Sequence, residues 1–280
     1  MNTRKMFWSV GIAAALASTS SMATLIDLTA LGTGGSQVCQ TINDGAIVCN
    51  TDTNSGTVGT GVFPAFLGAP GGRPATYQIY NTEIKPTSAP ENEAGAPAND
   101  NSPVTLSQLG VQTVGGISYA VFRLDINQTK PDSFLSVDEI SIYLSPTGTL
   151  TGYNTGTGKL GGATAIWSLT DADDIKLDYN NASGSGNGVD MYLLIPTSKF
   201  VGTLTTHVQL YSHFGNTFAN NDGFEEWSYL ACKAGSVCLP PLCTPGIDCG
   251  PNETPEPGVL ALLGLGLAGV GLSRRPKSRR

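Results

Sequence analysis

Apolar and polar residues alternate with a period of two through much of the chain between Thr24 and Cys232. In ISYAVFRLDINQ, Ala120, Phe122, Leu124 and Ile126 fall on one face of an extended strand. Tyr119, Arg123, Asp125 and Asn127 fall on the other, because successive side chains of a strand point to opposite sides. In SVDEISIYLSP the same spacing groups Asp138, Ile140, Ile142 and Leu144, and Pro146-Thr147-Gly148 ends the run. TYQIYNTEI, GATAIWSL, DIKLDYN, VDMYLLIP, HVQLYSHF and FEEWSYLAC read as further strands. No stretch sustains a helical period. The polar, proline-rich run KPTSAPENEAGAPANDNSP predicts a surface loop over 85–103, and the strands before it are too few for a core of their own. The pattern therefore predicts an all-β body over 24–231, a single β-sandwich or jelly-roll-like domain.

Composition agrees with this. The chain holds 35 glycines and 17 prolines, with hydrophobic residues at 40% and charged ones at 13%. That mixture suits short strands joined by many turns, since glycine supplies positive φ at no steric cost. Charge changes the picture more. Seven of the 15 basic residues lie at the extreme ends (Arg4, Lys5, Arg274, Arg275, Lys277, Arg279, Arg280), leaving eight against 22 acidic residues between them. Such a body repels nucleic acid and anionic membrane surfaces, so nucleic acid is not expected as a partner.

Both ends carry transport signals. MNTRKMFWSVGIAAALASTSSMA has a basic start, an apolar run from Met6 to Ala17, and small residues at Ser21 and Ala23 before a cut at Thr24. Residues 1–23 are therefore expected to be a cleaved signal peptide. At the other end, 258–272 is an uncharged apolar run. As a helix it reaches roughly 22 Å, short of a hydrocarbon core of about 30 Å. The basic tail 273–280 holds its far end in the cytoplasm. Pro255-Glu256-Pro257, this apolar run, and Arg274-Arg275 together resemble the PEP-CTERM sorting signal of Gram-negative bacteria, over 255–280. The resemblance implies processing by an exosortase, a membrane cysteine protease. It further implies export through the inner membrane, a transient anchor by a short transmembrane helix, and delivery to the cell surface or extracellular matrix, often alongside exopolysaccharide. LDINQ, SVDEISIYLS, GSGNGVDMYLLIP and NNDGFEEWS are also similar to segments of exported PEP-CTERM proteins of unassigned activity.

Six cysteines in an exported chain point to disulfides. Cys39 and Cys49 flank Asn43-Asp44-Gly45, a hairpin signal, and would face each other across it. Cys232, Cys238, Cys243 and Cys249 form two C-x5-C units, which is not zinc spacing. Pairs 232–238 and 243–249 are the simplest of the 15 connectivities that six cysteines allow. This segment, 232–254, reads as a stapled stalk.

Candidate chemistry is thin. Gly156-Thr-Gly158-Lys-Leu-Gly161 matches a dinucleotide-binding pattern, but a strand-like run follows it rather than a helix, so its glycines read as turn residues. Gly186-Asn-Gly188-Val-Asp190 resembles one unit of a calcium-binding roll, and one unit is half a site. With Asp171, Asp173 and Asp174 nearby, Asp190 could meet the oxygen needs of calcium, although a solvated acidic turn is the ordinary reading. No other cofactor is expected. His207 and His213 share a strand face with Gln209 and Tyr211 and read as surface residues, and no nucleophile frame accompanies them. Glu225 and Glu226 are adjacent and so point to opposite faces. The sequence is read as a non-enzymatic surface or matrix protein whose partners are exopolysaccharide or neighbouring surface proteins. The alternative is a secreted polysaccharide hydrolase using two carboxylates distant in sequence.

Overall fold

A computed structural model of the protein describes residues 24–51, 65–68, 75–83, 101–129, 132–169, 173–181, 189–221, 225–232 and 239. The signal peptide, most of the expected stalk and the sorting segment 255–280 lie outside them. The strands, in chain order, begin with β1 (Thr24–Asp27), β2 (Cys39–Thr41), β3 (Ile47–Asn50), β4 (Leu67–Gly68), β5 (Tyr77–Tyr80) and β6 (Val104–Thr105). Next come β7 (Val111–Val114), β8 (Ile117–Asp125), β9 (Phe134–Ser145), β10 (Tyr153–Asn154), β11 (Lys159–Leu160) and β12 (Ala163–Thr164). The last are β13 (Trp167–Leu169), β14 (Asp173–Asp178), β15 (Met191–Pro196), β16 (His207–Phe214) and β17 (Glu226–Tyr229). No α-helix occurs among the described residues, as the alternating pattern requires.

Two seven-stranded sheets and one small sheet result. The first runs β1-β14-β9-β16-β5, with β13 beside β9 and β6 beside β16. The second runs β2-β3-β15-β8-β17-β4, with β7 beside β8. Pairing is antiparallel throughout except for β1 on β14. Both large sheets contribute to one apolar cluster: Ile140, Ile142, Leu210 and Phe214 from the first, Phe122, Leu124, Leu193 and Trp227 from the second. Ala120, Phe122, Leu124 and Ile126 all lie in it, as their spacing predicts. The fully buried Trp227 also joins the sheets by a polar contact, its indole N–H donating to the Ser212 hydroxyl at 2.9 Å.

The structure departs from strict alternation in two places. Asp138 does not share a face with Ile140. The β9–β16 register steps from Glu139 opposite His213 to Val137 opposite Phe214, so a β-bulge skips Asp138. The bulge changes strand parity, placing Val137 in the core. The Asp138 carboxylate meets the following loop instead, accepting from the N–H groups of Asn216 (2.7 Å) and Thr217 (3.3 Å). Second, Gln209 and Tyr211 lie on a covered face rather than a half-exposed one. The small sheet β10-β11-β12 folds over them, stacking Tyr153 on Tyr211 at 3.6 Å between ring centres. Gly158, Gly161 and Gly162 take φ of 62°, 57° and 83° in its turns, the role their pattern suggested.

Two described residues after β17, Cys232 and Leu239, lie on the body. Cys232 N–H donates to the Gln108 carbonyl at 2.8 Å and Leu239 N–H to the Leu109 carbonyl at 3.0 Å, with Leu239 buried in the core. Cys232 and Leu239 lie within the segment read as a stalk, and both are attached to the folded body.

Replacing Ser212 by Ala leaves the buried Trp227 N–H without an acceptor. Loss of about 1–3 kcal/mol in urea denaturation is the expected result.

Candidate functional site

The β2–β3 hairpin is built as its sequence dictates. Asp44 and Gly45 take φ of 56° and 74°, which an Asp-Gly turn tolerates, and the strands then place Cys39 opposite Cys49. A disulfide joins them, with the Cα atoms 4.0 Å apart. Lys199 ties the hairpin tip to the body, its Nζ lying 2.8 Å from Asp44 Oδ2. Cys232 is disulfide-bonded as well. Cys238, Cys243 and Cys249 lie outside the described residues.

This hairpin forms one wall of a groove on the outer face of the second sheet. The groove encloses about 570 Å³ and is lined by Gln37, Thr41, Gln112, Tyr192 and Leu194, with the Cys39–Cys49 bridge among them. Its floor continues into a small apolar cluster of Tyr119, Val121 and Leu194. Among the described residues no Asp, Glu, Lys, Arg or His lines it, in a chain whose net charge is −7. Amide and hydroxyl side chains both donate and accept hydrogen bonds, and Tyr192 adds a flat apolar ring. A smaller hollow of about 310 Å³ opens on the first sheet beside β10–β12. Glu139 is its one carboxylate, and it accepts a hydrogen bond from the Tyr153 hydroxyl.

The expected calcium ligands do not converge. Asp173 and Asp174 are consecutive in β14, so their side chains leave opposite faces, and Asp174 accepts from the Thr217 hydroxyl. Asp190 precedes β15 in the second sheet, and Asp171 lies outside the described residues. Among the described residues no group of three or more His, Cys, Asp or Glu is placed to hold a metal ion.

Asp190 instead meets Asp125. Both are buried, and Asp190 Oδ2 accepts the Ile126 N–H at 2.7 Å. Glu226 stands opposite Asp125 on the neighbouring strand. Burial, and then the Glu226 carboxylate beside it, push Asp125 up to about 7. Burial first and Asp125 second push Asp190 the same way. These residues are 65 positions apart in sequence, and only the β8–β15 pairing brings them together.

Glu225 and Glu226 do point apart. Glu226 faces outward to Asp125, while Glu225 is wholly buried and accepts hydrogen bonds from the Tyr77 hydroxyl and from Gln128 Nε2 (3.1 Å). Burial pushes Glu225 up to about 8, against the opposing pull of those hydrogen bonds.

The described body is thus an all-β domain carrying an uncharged outer groove. Residues 253–275 match the family model described as the PEP-CTERM protein-sorting motif. That motif indicates an exported protein, held transiently at the membrane and processed by an exosortase. No curated protein and no solved structure matches the chain.

The Cys39–Cys49 bridge closes a short loop, and in chain-entropy terms is worth about 2–3 kcal/mol. A Cys39→Ser/Cys49→Ser double variant is expected to lose that much in urea denaturation, with reductant then having a smaller further effect on it than on the parent.

Proposed function

We propose that the mature protein is a non-catalytic binding module of the extracellular matrix. In this reading the two large sheets form a sandwich whose groove beside Tyr192 takes a neutral, hydroxyl-rich polysaccharide. The lining of that groove carries the reading. Sugars offer hydroxyls to amide side chains and apolar ring faces to aromatic ones, and the lining of Gln37, Thr41, Gln112 and Tyr192 supplies both. The acidic body disfavours an anionic chain, which narrows the ligand to an uncharged one. Export and sorting by an exosortase support a ligand met outside the cytoplasm, as a secreted polysaccharide is. A hydrolase needs two carboxylates flanking the scissile bond. The larger groove is lined by none and the smaller by one, which favours binding over cleavage.

Two measurements test this. On a glycan array, and on polysaccharide extracted from the producing cells, the protein should bind uncharged glycans, and Tyr192→Ala should weaken binding roughly tenfold. Sugar release that a single Asp or Glu substitution abolishes would replace the binding reading with the hydrolase. Separately, the intact mass of the exported protein should lack the apolar run 258–272 and the basic tail. A mass that retains them identifies a permanent anchor.

A further inference from the structure

Glu225 is a fully buried acid placed between the two large sheets. It sits just before β17 in the second sheet, and its hydrogen-bond partner Tyr77 belongs to β5 in the first. Tyr77 is fixed by stacking on Phe214 at 5.1 Å. Gln128, from the loop after β8, donates to Glu225 Oε1 and also to Asn220 Oδ1 at 2.8 Å, and Gln128 Oε1 accepts the Asn221 N–H at 3.1 Å. One acid thereby gathers four pieces of chain: β5, the loop after β8, the loop after β16, and the start of β17.

The groups facing Glu225 are Tyr77 from β5, Gln128 and the Asn127 backbone from the loop after β8, and its own backbone. None is a cation. Its neighbour Glu226 points away, to Asp125. A carboxylate buried without a counter-charge costs several kcal/mol, so such a group keeps its proton instead.

We propose that Glu225 is a proton-dependent latch: its neutral carboxyl holds the β5 and β17 ends of the two sheets together, and alkaline medium releases them. The sign follows from the two states. Unfolded, Glu225 has an ordinary glutamate pKa; folded, it is pushed up to about 8. The latch is therefore at full strength below the ordinary carboxylate range, and its contribution is lost as pH rises through about 8. An exported protein meets a medium whose pH the cell does not buffer. β17 is also the strand from which the chain runs on to Cys232 and Leu239, so release acts at the root of the segment that leads to the sorting signal.

The test is thermal melting and hydrogen exchange of the exported protein between pH 6 and 9, with exchange times matched for intrinsic rate. The parent should lose on the order of 5 °C or more in Tm across this range. Peptides covering 126–129 and 225–232 should lose protection before those covering β9. Part of the fall near pH 7 belongs to Asp125, so the decisive comparison is with Glu225→Gln, which stays neutral at every pH. That variant should flatten the fall above pH 7 and keep its 225–232 peptides protected at pH 9. A parent whose Tm holds or rises from pH 7 to 9, or a variant that falls as steeply as the parent, overturns the proposal. If Glu225→Gln does not fold, infrared difference spectra of the parent still decide it. A protonated-carboxyl band must persist at pH 7 and vanish by pH 9 together with the loss of protection, and its absence at pH 7 overturns the latch.

Discussion

A β-strand has two faces, and the two longest strands of this protein carry large buried side chains on both. β8 turns Phe122 and Leu124 inward and Tyr119 and Val121 outward; β9 turns Ile140 and Ile142 inward and Tyr143 outward. Packing two sheets together covers only the inner faces. The outer faces need separate cover, and each sheet solves that differently. On the first, the β10–β12 excursion closes over Tyr143 and Tyr211. On the second, the disulfide-bonded β2–β3 hairpin and β7 border the face without filling it, and the groove beside Tyr192 is the space left between them. The groove is thus a consequence of incomplete cover by the described residues rather than a separate structure added to the fold.

The buried acids follow from the same geometry. Asp125, Asp190 and Glu225 sit where strands end and loops fold back, so they are removed from water without being given cations. In such places protonation is the less costly state. Their hydrogen bonds join segments distant in sequence, Asp190 to Ile126 and Glu225 to Tyr77 and Gln128.

The sorting motif and the folded body occupy separate parts of the chain. The sorting motif is a contiguous stretch of sequence, residues 253–275. The body needs all of its tertiary structure. The junction is less abrupt than composition suggests, because Leu239 returns to the core after the first cysteine of the Cys/Pro-rich segment.

Local features were legible in the sequence. The Asp-Gly turn between Cys39 and Cys49 fixes its own geometry within a dozen residues, so the disulfide could be read from spacing alone. The inward face of β8 and the turn role of Gly158 and Gly161 were legible for the same reason. The Pro255-Glu256-Pro257 motif was legible because it is a contiguous pattern of residues. The bulge at Asp138 was not, since one skipped residue changes the parity of a strand and leaves no compositional mark. Nor was the groove, whose lining comes from positions as far apart as Gln37, Gln112 and Leu194. The pairing of Asp125 with Asp190, and of Glu225 with Tyr77, was equally hidden. The sequence by itself determined where the protein is sent and that its body is made of strands, because both depend on short-range patterns. Only the tertiary structure decided which outer face is covered, which positions line the groove and which acids are buried, because each depends on strands brought together from distant parts of the chain.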